Sequence, residues 1–581
     1  MAEKSGMKAR KMGLLAWMVV VSWLAGCSPE SQVHIHYDPA SLRFSGEAAL
    51  AKEAEFVMQF PYRHSGEPNN RLAAEWLYEQ FSALGLSCKL DEWEVVNYSK
   101  PVKLQNVVCV LAGESEREIL VSAHHDQSPD TIYGADNDGS GIAILLQLAE
   151  IFASEGKPRY TLVFLSTDGE EYGMLGARQY IETHPDTENI IAGFSMDNMG
   201  KTIYDNMEMA AIGQFRNFGS LWLQRLAQEA ARAAGDLWVP AIRSPLDQVL
   251  NQAVPVSLMD QGPMIAAGVP ALGFTGLVAK GYSEAHWETY HSPLDTLDTQ
   301  STEVLYQGGR IPEALLRELL SRDEFPEERG PYLYLQGRGE TLRGLPLWLI
   351  FIGIVSLFFI GAYFKGGVNP KEKLGAWRVG LIHWLSIWLP LLGGVLLTYG
   401  LVAVGLMDEY HLYPATARDE PIYEPRWPAV IVFVVGMAVF LYAGRRMAQR
   451  AGTAEAQLTP GQTNSFGLLI TGIGAAYILI LNPFSLLFFV PVLAWLLIGG
   501  RRGWRKLLDV ILLLTGGLVI YALIYFFGFV ILRNGFVVFW YLLMMFSSKM
   551  ISLPVAAAIT AVLGAGLSMI VGPPRYKVRS E

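Results

Sequence analysis

The sequence predicts an α/β unit, a mostly parallel sheet flanked by helices, followed by an all-α polytopic transmembrane region. Between residues 47 and 325, short β-rich runs, "EILVSA", "YTLVFLS", "IIAGFSM" and "VPALGFTG", alternate with longer amphipathic stretches such as "GIAILLQLAEIFA". That is the rhythm of parallel strands whose crossovers cover both faces of a sheet. From about Leu345 onward the sequence turns into apolar runs of bilayer length. At 581 residues the chain also exceeds what one hydrophobic core organises, so at least two units are expected.

At the N-terminus, Lys4, Lys8, Arg10 and Lys11 precede an apolar stretch, Gly13 to Leu24, that is too short to span a bilayer; Leu24-Ala25-Gly26-Cys27 comes next. This is the pattern of a lipoprotein-type signal over residues 1–26. In the bacterial lipoproteins it resembles, the cysteine becomes the lipidated first residue, which would put Cys27 and the segment after it outside the cytoplasm. An unlipidated anchor helix is the alternative. Residues 27–46 read as a tether, with His34 and His36 facing solvent. Next, "NNRLAAEWLYEQFSALGL" has helical periodicity, with Leu72, Trp76, Leu77, Phe81 and Leu84 on one face. Cys88 and Cys109 lie in two strand-like runs placed about a turn near Tyr98 to Pro101, so a hairpin would set them opposite each other. Both a disulfide and two buried thiols stay open.

Residues 326–343 read as a polar linker, 344–572 as a transmembrane domain of about seven helices, and 573–581 as a basic tail. The spans are roughly 345–364, 380–406, 428–444, 466–481, 484–500, 507–532 and 551–571. Basic residues cluster after the first, third and fifth: Lys365, Lys371, Lys373 and Arg378; Arg445, Arg446 and Arg450; Arg501, Arg502, Arg505 and Lys506. The loop after the second, "MDEYHLYPATARDEPIYEPR", is acid-rich. Because basic loops stay cytoplasmic, the α/β half and the acid-rich loop are expected on the periplasmic face of a bacterial inner membrane. The run 536–546 is about half a bilayer long and is expected to be interfacial or re-entrant, which leaves the C-terminus inside. A net charge of −10, with the basic residues of this half confined to short loops, argues against nucleic acid as a partner.

The chemistry concentrates in "HHDQSPDTIYGADNDGSG", residues 124–141, and in four further places: Glu170-Glu171, Asp197, Asp260 and His291. His124-His125-Asp126 comes after one strand-like run, Glu170-Glu171 after another and Asp197 after a third. In open α/β sheets ligands bind at the carboxyl ends of the strands, so these groups can meet although they are far apart in sequence. Imidazole with carboxylate suits zinc, and a set of His, Asp, Glu and His that leaves room for water is a catalytic set. His124 and Asp126, two apart, share a face of an extended strand, so Asp126 can orient the histidine. In the Glu170-Glu171 pair one carboxylate can bind metal while its neighbour acts as general base on water. By contrast, His286, five residues before His291, reads as solvent-facing. In the membrane half His383 and Asp509 fall near span ends, away from mid-bilayer, which argues for an anchoring or packing role there.

With "SAHHDQ", "GADNDGSG", "TDGEEYGMLGA", "FSMDNMG", "MDQGPMIAAGVPALGF" and "YHSPLDT" in this order, the chain resembles the di-zinc aminopeptidases of metallopeptidase family twenty-eight over about residues 47–305. The resemblance implies a zinc exopeptidase-like fold and two zinc sites. His124 would ligate one metal and Glu171 the other, Asp197 and His291 would complete the two shells, and Glu170 would be the base. Where the family has a bridging aspartate, this chain has Asn137, flanked by Asp136 and Asp138. Either a flanking aspartate shifts in, or the second metal is weak, or the site is dead. The expected function is therefore a membrane-anchored, extracytoplasmic zinc aminopeptidase acting on peptides. Its rivals are a catalytically impaired binding module and an accessory domain of a membrane transport or assembly protein.

Overall fold

The alternating runs of the first half form, in chain order, β1 (Cys27–Pro29), α1 (Gly46–Gln59), α2 (Pro68–Ala83), β2 (Ser87–Asn97), β3 (Lys100–Leu111), β4 (Ser115–His124), α3 (Gly141–Ser154), β5 (Tyr160–Thr167), α4 (Leu175–Thr183), β6 (Ile190–Met196), β7 (Asn206–Ala210), α5 (Leu221–Ala234), α6 (Pro245–Ala253), α7 (Gln261–Ala266), β8 (Ala271–Leu277), α8 (Thr302–Leu320), β9 (Tyr332–Leu335) and β10 (Glu340–Arg343). The structure, a computed structural model, describes residues 27–29, 33–97, 100–214, 217–253, 255–278, 288–327, 330–365, 370–407, 425–451, 460–490, 493, 537–547, 549 and 551–571. Residues 27–344 make one compact unit, and the described segments from Leu345 onward belong to a second.

The main sheet has seven strands in the order β2-β3-β5-β4-β6-β8-β7. Its four central strands, β5-β4-β6-β8, run parallel. The outer pairs, β2 with β3, β3 with β5 and β7 with β8, are antiparallel. β2 and β3 follow one another in sequence and pair out to Asn97 opposite Lys100, which makes them a hairpin, antiparallel by construction. Within it Cys88 pairs with Cys109, and the two are joined by a disulfide.

Helices cover both faces of the central strands, and the side chains alternate accordingly. On β4, Ile119 and Val121 face one core and Leu120 the other; on β5, Leu162 and Phe164 oppose Val163 and Leu165. The first core takes in Ile142, Ile144, Leu145 and Leu148 of α3, and the second Tyr180 and Ile181 of α4 with Met264 and Ile265 of α7. Each such aliphatic or aromatic side chain contributes about 1.5–3 kcal/mol by leaving water.

Three expectations need correction. The buried face of α2 is Ala73, Ala74, Leu77 and Phe81, with Trp76 and Leu84 at its margin, whereas Leu72 is 42% exposed. The i, i+4, i+8 row through Ala73 meets the core, and Leu72 lies one position off it. The expected tether is packed from residue 33: Tyr37, Leu42 and Phe44 are buried, the backbone N–H groups of His36 and Tyr37 donate to Glu318, and those of Arg43 and Phe44 to Glu313. His36 is exposed, as expected, with its Nδ1 3.0 Å from Glu318. Two buried glutamates on α8 need donors, and this strap supplies them. Lastly, the expected linker is a β-hairpin, β9-β10, to which β1 adds a third antiparallel strand with Cys27 opposite Leu342.

In the second unit the helices are Leu345–Lys365, Pro370–Ala403, Trp427–Ala451, Pro460–Leu481, Val537–Ser547 and Leu553–Val571. Among the described residues three helices are long and apolar enough to cross a membrane, Leu345–Lys365, Trp377–Ala403 and Trp427–Gln449, and two shorter apolar ones are Ser465–Leu481 and Leu553–Ser568. The span expected at 484–500 begins instead with a 3-10 turn, Pro483–Phe488. Residues 507–532, Asp509, the acid-rich loop at 408–424, the tail, the signal segment and His286 lie outside the described residues. His383 is buried against the Ser568 carbonyl, 3.0 Å away.

Candidate active site

The carboxyl edge of the parallel strands gathers the groups singled out in the sequence. His124 is the last residue of β4, Asp168 to Glu171 come directly after β5, and Asp197 directly after β6. Asp260 caps the N-terminus of α7, which runs back from the same edge. Asn137 sits in the turn between β4 and α3, and His291 lies ahead of α8. All are buried.

The glycines around Asn137 explain the "GADNDGSG" spelling. Gly134 takes a left-handed φ of +56°. At Gly141 a Cβ would lie 2.4 Å from Asp138 Oδ1 and 2.6 Å from the Met196 carbonyl, so only glycine lets its N–H donate to Asp138 at 3.0 Å. Asp138 also accepts the His124 N–H at 3.1 Å, which turns it back toward β4. Asp136 turns the other way, accepting from the Gly200 N–H at 2.9 Å and the Tyr204 hydroxyl at 2.6 Å, with Lys201 Nζ 3.3 Å off. Between them the Asn137 side chain enters the cluster: Oδ1 is 2.9 Å from His124 Nε2, while Nδ2 is 2.7 Å from both Glu171 Oε1 and His291 Nε2.

Asn137 thus lies between two pairs. His124 Nε2 is 3.8 Å from Asp197 Oδ1, and His291 Nε2 is 3.0 Å from Glu171 Oε1. Glu170 Oε2 is 3.9 Å from His124 Nε2. His124, Glu170 and Glu171 offer atoms within 4.8 Å of one another, and so do His124, Asp138 and Asp197.

Asp126 organises much of this. Its Oδ1 lies 3.3 Å from His124 Nδ1, and its two oxygens accept the backbone N–H groups of Glu170 and Glu171 at 3.1 and 3.2 Å. Burial alone would raise its pKa, but the hydrogen bond to His124, the charge of the two histidines and the Glu170 N–H together outweigh that and hold it below the usual carboxylate range. For Glu170 burial dominates, reinforced by Asp197, Glu171 and Asp260, and pushes the carboxyl well above its ordinary value. Asp260 is pushed up to about 7 by burial; one oxygen accepts from Thr167 Oγ1 at 2.5 Å, and the other meets no partner among the described residues.

The donor chemistry fits a divalent cation. Buried acids here, Glu53, Asp126, Asp136, Asp138, Asp168, Glu170, Glu171, Asp197, Asp260 and Asp295, outnumber the buried cations Arg63 and Lys201. An excess of negative charge in a low-dielectric pocket is costly unless metal or protons balance it.

Reading the sequence missed several supporting groups. Asp295 accepts the N–H groups of Asp136 and Asn137 at 3.0 and 3.1 Å, tying the segment that carries His291 to the turn that carries Asn137. Ser65 bridges Asp126 and Asp168 at 3.2 and 2.6 Å. Arg63 lies over the Phe56 ring and donates to Gln127 and to the carbonyls of Tyr133 and Gly134. Asp295 stands four residues after His291, and that proximity was the available signal; Ser65 and Arg63 had none.

Residues 106–313 match Peptidase family M28. Over those residues the chain is similar to the M28 peptidases. A probable zinc metalloprotease of Pyricularia oryzae is 37% identical over 95 residues, covering 15% of this chain and 19% of that protein, so the chain spans less than a quarter of its length. Among solved structures, a glutaminyl cyclase of Porphyromonas gingivalis superposes with TM-score 0.42 at 20% identity, covering 48% of this chain and 99% of the other. A zinc aminopeptidase of Bacillus subtilis does so with TM-score 0.40 at 14% identity, covering 48% and 96%.

Proposed function

We propose that the chain is a membrane-anchored zinc aminopeptidase that removes N-terminal residues from peptides. The observation that carries this reading is the meeting of His124, Asp197, Glu171 and His291 around Asn137, with Glu170 beside them and unused as a close hydrogen-bond partner of either pair. His124 and Asp197 on one side of Asn137, and Glu171 and His291 on the other, are the side chains that could hold metal. Zinc, when bound, supplies a Lewis acid that polarises the scissile carbonyl and makes water more acidic. Glu170 would take a proton from the attacking water and return it to the leaving amine. Asp126 keeps the Nδ1 proton on His124 and fixes the backbone of Glu170 and Glu171, so one carboxylate sets three of the working side chains.

Asn137 favours a second reading, a binding module that grips peptides without cutting them, because a neutral amide is a poorer partner for two cations than a carboxylate. The two readings separate on a peptide panel. Purified full-length protein should cleave peptides with a free N-terminus, spare N-acetylated ones, and lose the activity to a chelator and regain it with zinc. Binding without cleavage under all conditions favours the module, and release of cyclised N-terminal glutamine without peptide cleavage would assign a cyclase.

The placement we infer is a bacterial inner membrane, with the peptidase unit on the periplasmic face. Three apolar helices support the membrane, and the basic loops after alternate spans support the orientation. Lipidation at Cys27 is supported by the signal pattern.

A further inference from the structure

The two ends of the Asn137 amide are chemically different, and each faces a different pair. The oxygen can accept a hydrogen bond or ligate a cation; the nitrogen carries two protons and can do neither. On the Glu171–His291 side it is the nitrogen that enters, 2.7 Å from Glu171 Oε1 and 2.7 Å from His291 Nε2. Its two N–H bonds match the two acceptors, a carboxylate oxygen and an imidazole lone pair. A dication placed between that pair would confront those protons.

The other side has the opposite character. His124 Nδ1 faces two oxygens of Asp126, the carboxylate at 3.3 Å and the carbonyl at 3.1 Å, so Nδ1 carries a proton and Nε2 is the nitrogen that faces the cluster. Around His124 Nε2 stand Asn137 Oδ1 at 2.9 Å, Asp197 Oδ1 at 3.8 Å and Glu170 Oε2 at 3.9 Å. Three oxygens converge on one imidazole nitrogen, a donor set that suits a shared cation in place of a proton.

Building on the zinc reading above, we propose that this chain binds one zinc, on the His124–Asp197 side of Asn137, and that the Asn137 NH2 group takes the place of a second cation on the Glu171–His291 side. Glu171 and His291 are then held by the amide, and the metal keeps His124, Asp197 and the Asn137 oxygen.

The test is metal counting on the full chain, loaded with zinc, dialysed and measured by mass spectrometry. The unaltered protein should retain one zinc per chain, His291→Ala should keep it, and His124→Ala should lose it. Asn137→Asp, which puts an oxygen on both sides, should retain two. Two zincs in the unaltered protein, or loss of the single zinc in His291→Ala with retention in His124→Ala, overturns this assignment and leaves the peptidase reading standing. No zinc in either the unaltered protein or Asn137→Asp, with circular dichroism showing both folded, overturns both.

Discussion

Replacing Glu170 with glutamine removes a proton acceptor and little else. The backbone N–H of residue 170 still donates to Asp126 Oδ1, 3.1 Å away, and the side-chain volume is conserved. Glu170 Oε2 stands 3.9 Å from His124 Nε2, farther than the Asn137 oxygen at 2.9 Å, so the ligand set should survive. The swap also removes a carboxyl whose charged form burial, Asp197, Glu171 and Asp260 all oppose. The cost therefore falls on the proton transfer, which is worth roughly 100- to 10,000-fold, or about 3–5 kcal/mol of barrier. The assay is kcat on a peptide with a free N-terminus, in parallel with zinc content and thermal melting. The expected result is a fall in kcat of at least about 100-fold, KM nearly unchanged and zinc retained. A variant that kept more than about a tenth of kcat, against the 100-fold minimum for a lost base, would show that Glu170 is not the base.

Other perturbations draw on the same geometry. Asp295→Asn offers one acceptor where two backbone N–H groups need one each; allowing for relief of a carboxyl that burial pushes up to about 6, the loss is about 2 kcal/mol. It should appear as a lower melting temperature and weaker zinc retention, and an unchanged pair of values would remove Asp295 from its positioning role. Arg317 meets Glu155 with two hydrogen bonds, 2.9 and 2.7 Å, and holds its carboxyl below the usual range. The stabilisation is full above that range and is lost as pH falls through the depressed value, so Glu155→Gln should cost on the order of 1 kcal/mol at neutral pH and flatten the acid side of the stability profile. Topology is open to fusion reporters: one after Glu581 should be cytoplasmic and one within residues 408–424 extracytoplasmic. A C-terminal reporter found outside would mean that the 536–546 run crosses the bilayer.

The sequence displayed the central strands plainly, because β5 and β6 are buried on both faces and read as unbroken apolar runs. The chemistry was legible for a related reason: the carboxyl ends of those strands are where the polar residues begin, so His124, Glu170, Glu171 and Asp197 each stand just past an apolar run. The features that stayed hidden depend on pairing between distant segments. "YLYLQGRGETLR" has the glycines and charges of a linker, and its strands become evident only when β9 and β10 pair and β1 joins them. The strap at 33–45 looks polar because its partners, Glu313 and Glu318, lie some 270 residues away on α8 and take its backbone N–H groups. The choice among Asp136, Asn137 and Asp138 was closed to the sequence as well. It turns on which carboxylates accept backbone N–H groups, and both aspartates do, at Gly200 for one and at His124 and Gly141 for the other.

The measurement that bears most directly on the account is zinc-edge anomalous diffraction from crystals of the zinc-loaded full chain. The account predicts a peak bonded to His124 Nε2 and to an Asp197 oxygen at about 2.0–2.2 Å. Zinc-loaded crystals with His124 and Asp197 well ordered and no anomalous peak within bonding distance of either would contradict it.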